Sequence, residues 1–207
     1  MNDMRLAVII AIGVIEIISR LLLPFLPIDA LTYTLFVRII QILVIMLLAF
    51  EESGVQTPLF TRELFFGCVI AFVFGALVFA GEGISKALFK TGVISSLIGT
   101  QHVKNPTLFL FSACIIGPFA EELFFRGLLY AWLRQAFSVI FSVILSSVLF
   151  ASLHGAFGLI PLIGGVMLAL IFEWRKNIWP CFIVHALANI GIWQFSHILA
   201  LLTQGKL

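Results

Sequence analysis

Seven long apolar runs dominate this chain, drawn at about 6–23, 32–50, 64–80, 107–133, 137–154, 159–173 and 178–195. A helix needs roughly 20 such residues to cross the hydrocarbon core of a bilayer. The 207 residues are 62% hydrophobic and only 11% charged, and the mean hydropathy is +1.19. A soluble domain of this length has too little interior to hide that much apolar surface. The runs are continuous rather than alternating, which argues against a membrane β-barrel. The expected fold is an all-α, polytopic transmembrane helix bundle of about seven spans, with six to eight compatible. One membrane-embedded domain is expected over 1–207, with a motif-bearing core at 107–195.

Punctuation supports the divisions. Pro24 and Pro27 close the first span, and Glu51-Glu52-Ser53-Gly54 closes the second. Arg134-Gln135 and Arg175-Lys176-Asn177 separate later spans, and Pro180 suits a first helical turn. Trp132, Trp174, Trp179 and Trp193 fall near expected ends, as an interfacial belt would have them. The first run contains Glu16 and Arg20 and has no clear small-residue cleavage site, so it reads as a retained span. Segment 81–106, with Glu82, Lys86, Lys90, His102 and Lys104, reads as a surface connector, either amphipathic or a plain loop.

Net charge is +2, with the basic residues scattered. No basic run points to nucleic acid, and the split of charge between loops does not set an orientation. Cys68, Cys114 and Cys181 are isolated and read as small buried hydrophobes. No internal repeat of the transporter kind is visible.

Three short pieces set polar chemistry inside this apolar background. They are Glu121-Glu122-Leu123-Phe124-Phe125-Arg126, Phe150 to His154, and His185 to Asn189. Ionisable groups within a span are costly and usually mark a site. Adjacent glutamates point roughly 100° apart on a helix. Arg126 lies four residues after Glu122, the favourable order for an ion pair. That spacing makes Glu122–Arg126 a supporting pair and leaves Glu121 free to face a polar chamber. Pro118 removes a helix hydrogen bond just upstream and can kink the span.

Glu121 and His154 together could hold and deprotonate a water. His185 and Asn189, four apart on one face, could donate to a developing oxyanion. Peptide-bond hydrolysis needs both functions. Glu121, His154 and His185 are also a legitimate zinc set. The absence of His-Glu-x-x-His tips the reading toward a metal-free site with no cofactor. Depth raises one tension. At roughly 1.5 Å per residue, Glu121 lies about 18 Å from the Arg134 side, Asn189 about 16 Å, His185 about 10 Å and His154 about 25 Å. His154 fits only if span five tilts, breaks near Gly155, or starts later than drawn.

These residues resemble the CPBP family, the type II CAAX prenyl endopeptidases and Abi-like intramembrane proteases. Its pattern is Glu-Glu-x-x-x-Arg, Phe-x-x-x-His and His-x-x-x-Asn on separate helices, and all three occur here in order. The resemblance implies an intramembrane endopeptidase of glutamic type, located in a prokaryotic plasma membrane. It implies catalytic roles for Glu121 and His154, oxyanion roles for His185 and Asn189, and support from Glu122 and Arg126. The implied partners are the bilayer and a membrane-associated protein or peptide substrate, prenylated or not. Oligomeric state is left open. Competing readings are a small proton-coupled carrier and a non-catalytic immunity or assembly factor. Glu16 and Arg38 would favour the carrier if they faced the chamber.

Overall fold

A computed structural model describes residues 3–55, 60–90, 92, 103–154 and 158–203. Seven helices and no strand occur among the described residues. They are α1 Asp3–Leu22, α2 Ala30–Leu48, α3 Phe60–Phe89, α4 Pro106–Ala136, α5 Val139–Ser152, α6 Leu159–Arg175 and α7 Ile178–Thr203. Five of them, α1 to α4 and α7, are long and apolar enough to cross a membrane. The chain is an integral, multi-pass helical bundle. Its surface is inverted relative to a soluble protein: Leu47 is 80% exposed, Phe72 79% and Ile140 73%. Faces of that kind are stable against lipid tails and would be untenable in water.

Local chemistry sets the boundaries. Asp29 caps α2, accepting from the amides of Leu31 and Thr32 at 3.1 and 3.0 Å, so α2 starts at Ala30, ahead of the span expected from residue 32. Ser138 caps α5 through Phe141. The expected connector at 81–106 is different: α3 continues through Phe89. Glu82 and Lys86, which looked like interfacial charges, form an i,i+4 pair at 3.3 Å along the helix. Thirty residues rise roughly 45 Å, more than the hydrocarbon core needs. Residues 93–102, including His102, lie outside the described residues. Helix α7 also runs past 195, so Trp193 is a buried mid-helix residue rather than an interfacial one. Of the cysteines, Cys114 and Cys181 are buried and Cys68 is exposed.

Helix α4 is the axis of the bundle, and it is not uniform. Its middle α-helical segment, Gly117–Glu122, lies between two wider π-helical segments, Leu110–Ile116 and Leu123–Tyr130. Leu123, Leu128 and Tyr130 of α4 share a core with Val8 and Ile12 of α1, Ile45 of α2, Leu168 and Phe172 of α6, and Val184 of α7. At Gly127 the helix meets the turn after α2. A Cβ there would lie 2.6 Å from the carbonyl carbon of Ser53. Gly127→Ala should therefore destabilise the protein by about 1–3 kcal/mol, read as lost thermal stability in micelles.

Candidate active site

The middle segment of α4 delivers both glutamates to the interior. Glu122 is fully buried and Arg126 is 2% exposed. Arg126 Nη1 donates to Glu122 Oε1 at 3.0 Å, and Arg126 Nη2 donates to the Gly165 carbonyl of α6 at 3.2 Å. Its guanidinium also lies over the Phe150 ring at 4.6 Å. Glu122 Oε1 takes a second bond, 2.8 Å from Nδ1 of His185 on α7. One buried pair thus ties α4 to α5, α6 and α7, and it fixes one nitrogen of a histidine.

Glu121 is not free, as its spacing had suggested. Arg38 of α2 sets Nη2 3.2 Å from Glu121 Oε1. The other oxygen, Oε2, lies 3.4 Å from His154 Nε2 and 3.8 Å from His185 Nε2. His154 Nδ1 lies 2.8 Å from the Phe150 carbonyl. With both Nδ1 atoms donating to acceptors, a neutral ring turns its Nε2 lone pair toward Glu121 and a protonated ring donates from Nε2 instead. One carboxylate oxygen on α4 and two ring nitrogens, from the turn after α5 and from α7, therefore converge, all within 4.8 Å of one another.

The depth tension dissolves in the geometry of α5. The helix starts at Val139, later than drawn, and ends at Ser152, a rise of roughly 20 Å. His154 follows in a tight turn, its amide bonded to the Ala151 carbonyl at 3.1 Å. It therefore reaches the level of Glu121. Gly155 lies outside the described residues.

Sequence reasoning missed part of the surroundings. Arg38 Nη1 donates to Glu16 Oε2 at 2.8 Å and to Gln41 Oε1 at 2.7 Å. Gln41 donates to Glu16 Oε2 at 3.0 Å. Arg20 donates to Glu16 Oε1 at 2.8 Å and to the Leu153 carbonyl at 2.7 Å. Glu16 and Arg38 do face the chamber. Opposite charges in the middle of two neighbouring spans were the available signal. Glu16, Glu121 and Glu122 are matched by Arg20, Arg38 and Arg126, so the region is electrically balanced.

Asn189 faces the same helix one turn away. Its Nδ2 donates to the Ala113 carbonyl at 2.8 Å. The reason is legible in α4. The Gly117 amide reaches back five residues to Ser112. The next donor in that ladder would be residue 118, which is proline and has no N–H. Asn189 supplies the bond that Pro118 withholds from Ala113. One of its two amide N–H groups is thus committed to the scaffold.

A cavity of about 270 Å³ opens beside Glu121 and His154. Glu16, Arg38 and Gln41 line its polar end, while Ile9, Ile12, Phe124, Phe125, Leu129 and Leu149 line the rest. His185 is not among its lining residues and stands behind Glu121. The cavity can admit an apolar segment with its backbone against the polar end. The donor set also fits a zinc ion, because each histidine is anchored through Nδ1 as metal-ligating histidines are.

The region that carries these residues is similar to known proteins. Residues 103–191 match the family model for type II CAAX prenyl endopeptidase Rce1-like proteins. The membrane-embedded CAAX protease MroQ of Staphylococcus aureus (strain USA300) is 30% identical over 116 residues. That match covers 47% of this chain and 47% of MroQ, so the chain spans about half the length of this curated relative. No solved structure matches the chain.

Proposed function

We propose that this chain, whose residues 103–191 match the type II CAAX prenyl endopeptidase family model, is an intramembrane endopeptidase of the CPBP family in which Glu121 activates a water. The observation that carries the reading is the convergence of Glu121 Oε2 with the Nε2 atoms of His154 and His185. A water placed among them has two O–H bonds to give to three acceptors. A proton on His185 resolves the remaining clash, since Glu122 already lies against its other nitrogen.

The chemistry then balances. Water gives a proton to Glu121 as its oxygen bonds to the carbonyl carbon of the scissile peptide. The carbonyl oxygen takes the negative charge, and the N–H donors proposed to meet it are protonated His185, behind Glu121, and the second amide hydrogen of Asn189, one turn further along α7. The C–N bond breaks, and the proton passes from Glu121, with His154 beside it, to the leaving nitrogen. The apolar wall of the cavity suits a substrate already in the bilayer, so a membrane-associated protein or peptide is the proposed substrate.

A zinc ion at the same place would be held by Glu121, His154 and His185, and would supply a bound water that ionises readily. Charge balance favours water alone. With three carboxylates already meeting three arginines, a protonated His185 leaves one excess charge where a dication would leave two in a low-dielectric region. Elemental analysis of purified protein, with cleavage measured after exhaustive chelation, separates the two. Loss of activity restored by zinc would reverse the proposal. A carrier is disfavoured for a related reason: Glu16 is bonded by Arg20, Arg38 and Gln41, so its carboxylate has no freedom to trade protons or cargo.

The function is tested by comparing membrane-derived peptides from cells with the wild-type chain and with Glu121→Ala. A peptide that accumulates only with wild type, with an intact precursor only in the variant, is expected. Identical peptide sets would remove the proposal. Asn189→Ala should cost about 1–3 kcal/mol of stability by stranding the Ala113 carbonyl, whatever it does to turnover.

A further inference from the structure

The proposed reaction uses one oxygen of Glu121, and the structure shows why the two oxygens differ. Oε1 is paired with Arg38 at 3.2 Å, while Oε2 faces both histidines. We infer that Arg38 is a positioning residue for this reaction: its guanidinium fixes the Glu121 carboxylate so that Oε2 alone meets the water. The inference rests on the hydrolytic reading above.

A glutamate's terminal torsion is broad and nearly two-fold, so an unanchored carboxylate turns through many orientations and exchanges its oxygens. A planar guanidinium can grip one oxygen while its other nitrogen is held elsewhere. That is the arrangement here. Arg38 Nη1 is fixed by Glu16 and Gln41, and Gln41 in turn donates to Glu16. Arg20 holds the other oxygen of Glu16 and also the Leu153 carbonyl, next to His154. A single chain of polar contacts on α1 and α2 therefore reaches both sides of the reacting water, from Arg38 to Glu121 and from Arg20 to the turn that carries His154. The Arg38 side chain is 13% exposed, so solvent competes little for it.

The test uses the purified full chain in micelles and a quenched fluorescent peptide that spans the cut found in the peptide comparison. Arg38→Gln should lower kcat about 100-fold, the scale of a misplaced reacting group, while KM stays within about threefold. Arg38→Lys keeps the charge but offers a compact ammonium in place of a fork, and should fall between. Added guanidinium should recover about tenfold in kcat for Arg38→Ala, because the neighbouring cavity admits it and Glu121 would again have a partner. A merely structural role predicts no such rescue at unchanged melting temperature. If Arg38→Gln does not fold, the charge-balanced double variant Glu16→Gln/Arg38→Gln is read in the same way. Wild-type kcat in either variant, or a loss confined to KM, overturns the inference. Glu121→Gln is the control: if it still cleaves, the reading of Glu121 as the group that activates water falls and takes the role of Arg38 with it, whereas an inactive Glu121→Gln beside a fully active Arg38→Gln removes only the role of Arg38.

Discussion

Glu121→Gln yields a folded protein whose peptide cleavage has dropped about 10³-fold or more. Glutamine has the same shape and can still accept a bond from Arg38, so the α1–α2 contacts survive. What disappears is an oxygen able to take a proton from water. The substitution also leaves Arg38 without its 3.2 Å counter-charge, but Glu16 still neutralises that guanidinium at 2.8 Å. Stability should therefore change far less than activity. The measurement is turnover of the quenched peptide together with a melting curve in the same micelles. Appreciable turnover by a well-folded Glu121→Gln would mean that another group removes the proton.

Glu122→Ala should produce the opposite profile, a loss of about 3–5 kcal/mol in unfolding free energy. Glu122 is fully buried and Arg126 nearly so. Removing the carboxylate leaves a buried guanidinium without a counter-charge and takes the acceptor from His185 Nδ1. The cost comes mainly from the abandoned charge rather than from the value of the pair itself. Replacing both members by apolar residues of similar volume should therefore recover much of the stability. The apolar pair would still lack the partner that orients His185, so it should fold yet cleave poorly. Unfolding followed by tryptophan fluorescence, with turnover of the same samples, distinguishes these outcomes.

Much of the bundle was legible because membrane helices declare themselves through uninterrupted apolar length. Breaks at Pro24, Ser53-Gly54, Arg134 and Arg175-Lys176 matched helix ends because each carries a local chemical reason to stop. Charge within a helix misled the reading of α3, because Glu82 and Lys86 look like a surface connector until their i,i+4 pairing is seen. Glu121, His154 and His185 were nameable because polar residues in a bilayer need a purpose, and the fold brings the three to one point. Arg38 was named only on the condition that it faced the chamber, and Gln41 not at all, since apolar periodicity says nothing about which distant helix a lone polar group will face. The π-helical segments of α4 were equally hidden. They depend on which carbonyl each amide selects, and only Pro118 hinted at the choice.

A helix too short to cross the hydrocarbon core must find partners for its last carbonyls, and α5, at 14 residues, rises only roughly 20 Å. Phe150 gives its carbonyl to His154, and Leu153 gives its own to Arg20. The histidine at the reacting centre is thus also the plug for its helix's open end. A descendant that abandoned hydrolysis would be under pressure to keep a hydrogen-bond donor at position 154, though not a base. Silent relatives with asparagine or glutamine there would mark lineages in which the scaffold outlived the chemistry.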